Sequence, residues 1–247
     1  MPDNKTKSTR TALVTGAARR IGNAIASSMA QDGWQVIIHY NTSDEDASAL
    51  ARELRSNGGL AETVQCDLSD PVAQTELIQT CSDRGIIPTC IINNASSFWE
   101  DHPEDLSPDV WDRHLNTNLR APIFLASGLA KVLPKDQDAN VINIIDQRVL
   151  RPRPEFFSYT ISKSALLTAT QTLAQSLAPR IRVNAIAPGP VLQSIHQSPE
   201  DFAEEVAATL LQRACSLEEI QAAVRFILNS PSMTGQMITL DSGQHLT

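Results

Sequence analysis

The chain has 247 residues, a formal net charge of −8 and 42% hydrophobic residues, enough apolar material for the core of one large α/β domain spanning residues 1–247. The excess of acid argues against a nucleic-acid partner, because neutralising a phosphate backbone needs clustered Lys and Arg. No apolar run approaches the roughly 20 residues of a spanning helix, and residues 1–10 are polar, so no membrane partner is expected and the reading is a soluble, cytoplasmic protein with a flexible tail over 1–10. Cys66, Cys81, Cys90 and Cys215 make no C-x-x-C pair and the five histidines no H-E-x-x-H order, so neither disulfides nor a metal site is expected.

Residues 11–15 are a short β-prone run, followed by Gly16-Ala17-Ala18-Arg19-Arg20-Ile21-Gly22 and an amphipathic helix to about residue 32. Strand, glycine turn and helix in that order present backbone N–H groups and a helix N-terminus to a phosphate. Residues 35–40 read as a second buried strand, completing a βαβ unit. NAD-binding versions of this unit place an acidic residue after the second strand to hold the adenosine ribose. Here the strand runs into Asn41-Thr42-Ser43. With no carboxylate to repel a 2′-phosphate and Arg19 within reach, NADP(H) is favoured over NAD(H); the alternative is that Arg19 is a solvated surface arginine.

A second helix over 44–57 is closed by Gly58-Gly59, and a third strand over 61–65 ends in Cys66-Asp67-Leu68-Ser69. Asp67 either binds an adenine amino group or caps the following turn, and Pro71 opens the next helix. A fourth strand over 90–93 leads into Asn94-Ala95-Ser96-Ser97-Phe98-Trp99. This alternation predicts a doubly wound parallel sheet. One long helical region over 107–133 contains Asn118, and a fifth strand over 140–145 delivers Asp146 to its carboxyl end, the edge where open α/β sheets bind ligands. A Pro-rich loop over 151–154 leads to a helix that carries Tyr159 and Lys163 and runs to about residue 178. A sixth strand over 181–187 turns out at Pro188-Gly189-Pro190. Residues 191–215, with an amphipathic helix near 202–211, have no place in the repeat and form a candidate substrate lid; a helix over 217–228 and a strand over 237–240 finish the chain.

On a helix, residues four apart share a face, so the Tyr159 phenol and the Lys163 ammonium are neighbours. A nearby cation lowers the pKa of a phenol and makes it a proton donor at neutral pH. Tyr-x-x-x-Lys alone is a weak signal, since a half-buried Tyr and a solvated Lys meet by chance on many helices.

Together, Thr15-Gly-x-x-x-Arg20-x-Gly22, Asp67, Asn93-Asn94-Ala95, Asn118, position 146, Tyr159-x-x-x-Lys163 and Pro188-Gly189 resemble the short-chain dehydrogenase/reductase family over nearly the whole chain. The resemblance implies a Rossmann-type, doubly wound, seven-stranded parallel sheet with helices on both faces. It implies Tyr159 as proton donor, Lys163 holding the nicotinamide ribose and lowering the tyrosine pKa, and Asn118 supporting a proton relay. Gly16, Arg19, Arg20, Ile21, Gly22, Asn41, Thr42, Ser43, Asp67, Leu68, Asn94, Ala95, Ser96, Tyr159, Lys163, Pro188 and Gly189 are the implied contacts of NADPH or NADP, and a homotetramer is the implied assembly.

Three departures point to a subgroup: Arg20 replaces a glycine of the turn, Ser96 replaces the glycine after Asn-Asn-Ala, and Asp146 stands where the family has serine. All three resemble the pteridine reductases and the related bacterial dihydromonapterin reductases. That likeness makes Phe98 one wall of an aromatic slot, with Arg20, Ser96, Asp146 and Tyr159 as further substrate contacts; the alternatives are that Phe98 belongs to the core and Arg20 is a tolerated variation. The implied reaction is NADPH-dependent reduction of a dihydropterin of the dihydrobiopterin, dihydromonapterin or dihydrofolate type. A short-chain carbonyl reductase is the alternative within enzymes. A dinucleotide-sensing protein is the alternative outside them, and one that has no need of a proton relay.

Overall fold

The structure is a computed structural model describing residues 10–194 and 197–247, so the expected tail over 1–10 lies, apart from Arg10, outside the described residues. In chain order the elements are β1 (Thr11–Val14), α1 (Arg20–Gln31), β2 (Gln35–Tyr40), α2 (Asp44–Ser56), β3 (Ala61–Gln65), α3 (Pro71–Asp83), β4 (Cys90–Asn93), α4 (Pro108–His114), α5 (Ala121–Val132), β5 (Ala139–Ile144), α6 (Phe157–Leu177), β6 (Ile181–Pro188), α7 (Pro199–Ala207), α8 (Leu217–Leu228) and β7 (Met237–Leu240). The strands form one seven-stranded sheet in the order β3-β2-β1-β4-β5-β6-β7, and each adjacent pair is parallel. This is the expected Rossmann-type architecture.

Successive strand residues point to opposite faces, and each face is apolar. Val14, Ile38, Ile92, Ile142 and Ile186 pack with residues of α1, α2 and α8 on one side. Their neighbours Leu13, Ile37, Ile91 and Val141 pack with Leu77 and Ile78 of α3 and Leu125 and Leu129 of α5 on the other. Strand order reverses between β1 and β4, so a crevice opens above their carboxyl ends, where the loops after these strands diverge.

Two helical expectations change. The single helix over 107–133 is two helices joined by a π-turn over Leu115–Arg120, in which the Ala121 N–H reaches back to the Asn116 carbonyl. Pro122, in the first turn of α5, has no N–H with which to continue an ordinary helix ladder, and the wider turn absorbs the gap and carries Asn118. The helix expected near 202–211 is α7, which starts earlier because Ser198 and Asp201 cap each other's backbone and Pro199 fits the first turn. The chain leaves it after Ala207, and Gln212 turns through φ +51.

Candidate active site

Two adjoining clefts open above the carboxyl ends of the strands. The larger, about 570 Å³, is lined by the glycine turn, Asp67–Ser69, Asn94–Trp99 and residues such as Asn41. The smaller, about 290 Å³, is lined by Asp146–Arg148, Phe156, Gly189 and side chains of the candidate lid and C-terminus. Phe98 and Ser194 border both, so Phe98 stands at the junction.

The glycine turn is built tightly. Gly16 sits at φ +62, and a Cβ there would meet the Ala95 backbone at 3.1 Å; a Cβ on Gly22 would fall 2.3 Å from the Gly16 carbonyl oxygen. The Thr15 hydroxyl oxygen accepts the N–H groups of Asn94 and Ala95, each at 2.9 Å, while Asn94 Nδ2 donates to the carbonyls of Thr15 and Gly16. These bonds lock the loop after β4 against the turn after β1. The N-terminus of α1 has no side-chain cap and no acidic residue in its first turn, so its N–H groups suit a phosphate. That open helix end, beside a cleft of this size, fits the phosphates of a dinucleotide.

The basic residues of the turn are engaged elsewhere. Arg19 borders the larger cleft but pairs with Asp46 of α2 at 2.5 Å. Asn41-Thr42-Ser43 carry no carboxylate, as read, but the first turn of α2 brings Asp44, Glu45 and Asp46 to this corner, and Tyr40 donates to Asp44 at 2.6 Å. Arg20 adopts φ +56, a backbone that favours glycine, and its guanidinium donates to the Leu192 carbonyl at 3.1 Å, tying the turn to the candidate lid. Asn41 and Leu68 border the cleft with Ile21; Thr42 is exposed and Ser43 is the residue before α2. Asp67 accepts the N–H and hydroxyl of Ser69, at 2.8 and 2.7 Å. Burial pushes its carboxyl up, but these bonds outweigh it and hold the carboxyl below its ordinary range. Pro188 ends β6, and Gly189 packs so closely on Asp241 that a Cβ would lie 2.8 Å from its Cα.

Around Tyr159 the expected residues converge. Its hydroxyl donates to Asp146 Oδ2 at 2.8 Å, and Asp146 Oδ1 accepts the Arg148 N–H at 2.8 Å. The edge-on ring of Tyr159 meets Phe98 with centroids 4.7 Å apart and planes at 76°. Lys163 is buried and donates to the Ile144 carbonyl at 2.8 Å, its nitrogen 5.7 Å from the Tyr159 ring centroid. The lowering expected of Lys163 is outweighed here by burial and by Asp146. Burial first, and then the charge and hydrogen bond of Asp146, push the phenol well above its ordinary value, because Asp146 touches the hydroxyl and Lys163 does not. Burial also raises the Asp146 carboxyl, against the pull of the Arg148 N–H and the Tyr159 hydroxyl. Burial lowers Lys163 to about 8, with Asp146 opposing.

Asn118 is buried and its side chain is fully used: Nδ2 donates to the Ser97 carbonyl and Ser162 Oγ, and Oδ1 accepts the Ser97 N–H and the Ser96 hydroxyl. These bonds give it a positioning part, fixing the Ser96–Phe98 loop to α6. Residues 191–215 leave and rejoin the body at one place, where the Cys215 N–H donates to the Pro190 carbonyl. Glu205 of α7 accepts from Gln197 at 2.8 Å and from Gln244 at 2.9 Å, clasping this segment to the C-terminus; positions 195 and 196 of the expected lid lie outside the described residues.

Six side chains near the site were not singled out from sequence: His39, Phe156, Arg148, Asp101, His114 and Ser158. His39 in β2 accepts the Gly16 N–H at Nδ1 (3.1 Å), with Nε2 against the Cys66 carbonyl (3.0 Å); burial lowers it to about 4. A histidine inside an otherwise apolar strand was the available signal. Phe156 stacks on Phe98 at 4.2 Å with planes 3° apart, and Arg148 covers Phe156 at 5.1 Å. A buried cluster of Asp101, His114 and Ser158 lies behind Tyr159.

Comparisons with known proteins agree with this geometry. A family model described as enoyl-(acyl carrier protein) reductase matches residues 16–245. The chain is 51% identical to the structure of FolM alternative dihydrofolate reductase 1 from Brucella suis in complex with NADP, covering 96% of each chain with a TM-score of 0.93. It is 31% identical to pteridine reductase 1 of Leishmania tarentolae over 96% of both chains. It is 29% identical to a 3-oxoacyl-[acyl-carrier-protein] reductase of Synechocystis sp., covering 94% of this chain and 95% of that one.

Proposed function

The chain belongs to the short-chain dehydrogenase/reductase family, and on that footing we propose that it reduces a dihydropterin, of the dihydrobiopterin, dihydromonapterin or dihydrofolate type, to the tetrahydro form with NADPH. The observation that carries the reading is the Tyr159 hydroxyl held on Asp146 at 2.8 Å beside the ring of Phe98. Reducing a ring C=N bond leaves a nitrogen that must gain a proton as the carbon gains a hydride. NADPH, when bound, supplies the hydride.

The residues divide the remaining work. The α1 N-terminus and the glycine turn suit the phosphates, Asp67 and Asn41 border the adenosine end, and Lys163 and Asn94 are placed for the nicotinamide end. The stacked pair Phe98 and Phe156 lines the junction of the clefts and offers a planar heterocycle an aromatic wall, with Ser96 beside it. Asp146 keeps the phenol protonated until a basic nitrogen needs the proton, which biases the site towards reduction. The whole chain is read as one catalytic domain, with residues 191–215 closing the smaller cleft, and as a homotetramer; sedimentation velocity tests the assembly.

The likeness to a 3-oxoacyl reductase keeps a second reading open, reduction of a carbonyl compound with Asp146 a local variation. NADPH consumption against dihydropterins, dihydrofolate and small ketones separates the two. Turnover of pterins is the expected result, and activity confined to ketones refutes the proposal.

A further inference from the structure

The cluster behind Tyr159 is directional. The Trp99 N–H donates to His114 Nε2 at 3.0 Å, so that nitrogen holds a lone pair and the imidazole proton sits on Nδ1. Nδ1 then donates to Ser158 Oγ at 2.6 Å, which leaves the serine proton for Asp101 Oδ2, while Asp101 Oδ1 accepts the Ser158 N–H at 3.0 Å. Along these bonds donor and acceptor alternate, so none can be reversed alone. Asp101, His114 and Ser158 are 6%, 0% and 0% exposed, so water offers no substitute partners.

The part of this chain of bonds from Trp99 to Ser158 connects the two sides of the aromatic wall. Trp99 follows Phe98, and Ser158 precedes Tyr159. The His114 ring also meets Tyr159 edge-on, with centroids 6.0 Å apart. We propose that His114 is a positioning residue: as the neutral Nδ1–H tautomer it ties Trp99, next to Phe98, to Ser158 at the start of α6, alongside the bonds that Asp101 makes to Phe157 and Ser158, and so sets Phe98 against Tyr159; its protonation breaks the bond to Trp99 and loosens that joint. A second proton would sit on Nε2 and face the Trp99 N–H, donor against donor.

The charges around the ring come from three elements. Asp101 in the loop after β4 favours the imidazolium, whereas Arg113 on α4 and Lys163 on α6 oppose it. Tyr159, also on α6, presents a neutral ring. Burial is the largest influence and leaves the imidazole below its ordinary value, hence neutral at pH 7. As the pH falls below about 6.5, the ordinary value for histidine, the joint weakens and so does the slot. The consequence for substrate rests on the dihydropterin reading.

The test has one arm that needs no ligand. In the full-length protein labelled with 15N-histidine, the signal that changes in Ser158→Ala should report a neutral Nδ1–H imidazole at pH 7. An Nε2–H tautomer, or a charged ring at pH 7, overturns the proposal. In the second arm, dihydrobiopterin affinity of the wild type should fall on the order of tenfold across the His114 transition, as expected for loss of a buried hydrogen bond, while NADP affinity stays within about twofold. His114→Gln, whose side-chain oxygen still accepts the Trp99 N–H and does not titrate, should flatten that fall; an unchanged acid slope overturns the proposal. Should His114→Gln not fold, the wild-type midpoints decide: binding and imidazole titrations more than about one pH unit apart refute it. Absence of pterin binding at every pH, with the tautomer as stated, would count against the pterin reading and leave the joint supported.

Discussion

Replacing Asp146 by serine removes the anion that touches the Tyr159 hydroxyl and leaves a neutral group near it. The bond lost is an O–H donating to a carboxylate at 2.8 Å, beside a tyrosine that is 6% exposed. Hydrogen bonds to charged groups in such settings contribute about 1.5–3 kcal/mol, and about 1.4 kcal/mol corresponds to one pH unit. The phenol should therefore titrate one to two units lower in the variant. The sign follows from which form the carboxylate favours. Asp146 stabilises neutral tyrosine, reduction needs that neutral form, and its loss moves the alkaline limb of turnover to lower pH. Asp146 also raises Lys163, so its removal lowers the lysine as well, and both changes act in the same direction. The limb belongs to the coupled groups and is not the constant of one residue. The assay is the initial rate of NADPH oxidation with a dihydropterin from pH 6 to 10, with cofactor affinity measured separately. Asp146→Asn, which keeps the shape and removes the charge, should move the limb similarly. Superimposable profiles, or a limb displaced upward, would refute the reasoning.

Tyr159→Phe removes the proton donor and should abolish turnover while NADP still binds, as a fluorescence titration would show. Phe98→Ala removes a stacking wall worth about 0.5–1.5 kcal/mol beyond burial; calorimetry should find pterin affinity several-fold weaker with NADPH affinity nearly kept, and unchanged pterin affinity would make Phe98 structural. Arg19→Ala should narrow the preference for NADPH over NADH by tenfold or less, because Arg19 is exposed and already shares its charge with Asp46, whereas Asp46→Asn should widen it; equal kinetics with both cofactors in the wild type would remove Arg19 from the cofactor site. His39 binds a proton near 4 when folded and near 6.5 when unfolded, so between these values the unfolded chain holds more protons and stability falls as the pH drops. The loss approaches about 3 kcal/mol, and urea unfolding of the wild type and His39→Gln at pH 7.5 and 4.5 should show a shallower acid dependence in the variant.

The sheet was legible because most strands, such as β1, β2 and β4, are apolar runs bounded by turn residues, and Gly16, Asp67 and Asp146 fall just past strand ends, where a parallel sheet binds ligands. The π-turn was not, since Pro122 fits an ordinary helix start as well as a widened turn, and only the packing of Asn118 on the Ser96–Ser97 loop chooses between them. The pairing of Arg19 with Asp46 was not legible for a related reason. Asp46 lies 27 residues away in sequence, and no local pattern says that the first turn of α2 will reach the glycine turn.

The same limit governs the chemistry. Tyr159 and Lys163 share a helix, so their pairing follows from a spacing of four; Asp146 arrives from a strand end and Asp101 from a loop. The groups close in sequence hold the lysine near the tyrosine, but those distant in sequence set the phenol's proton affinity. The spacing of four places only the cation one turn away; the anion expected at position 146 opposes it, and burial, which spacing does not give, adds in the same direction as the anion. The upward shift has functional content. A tyrosine pushed upward stays protonated at neutral pH, so the proton is present when a ring nitrogen becomes basic on reduction, and on the proposed reading Asp146, foreign to the general family pattern, is the group that keeps it there.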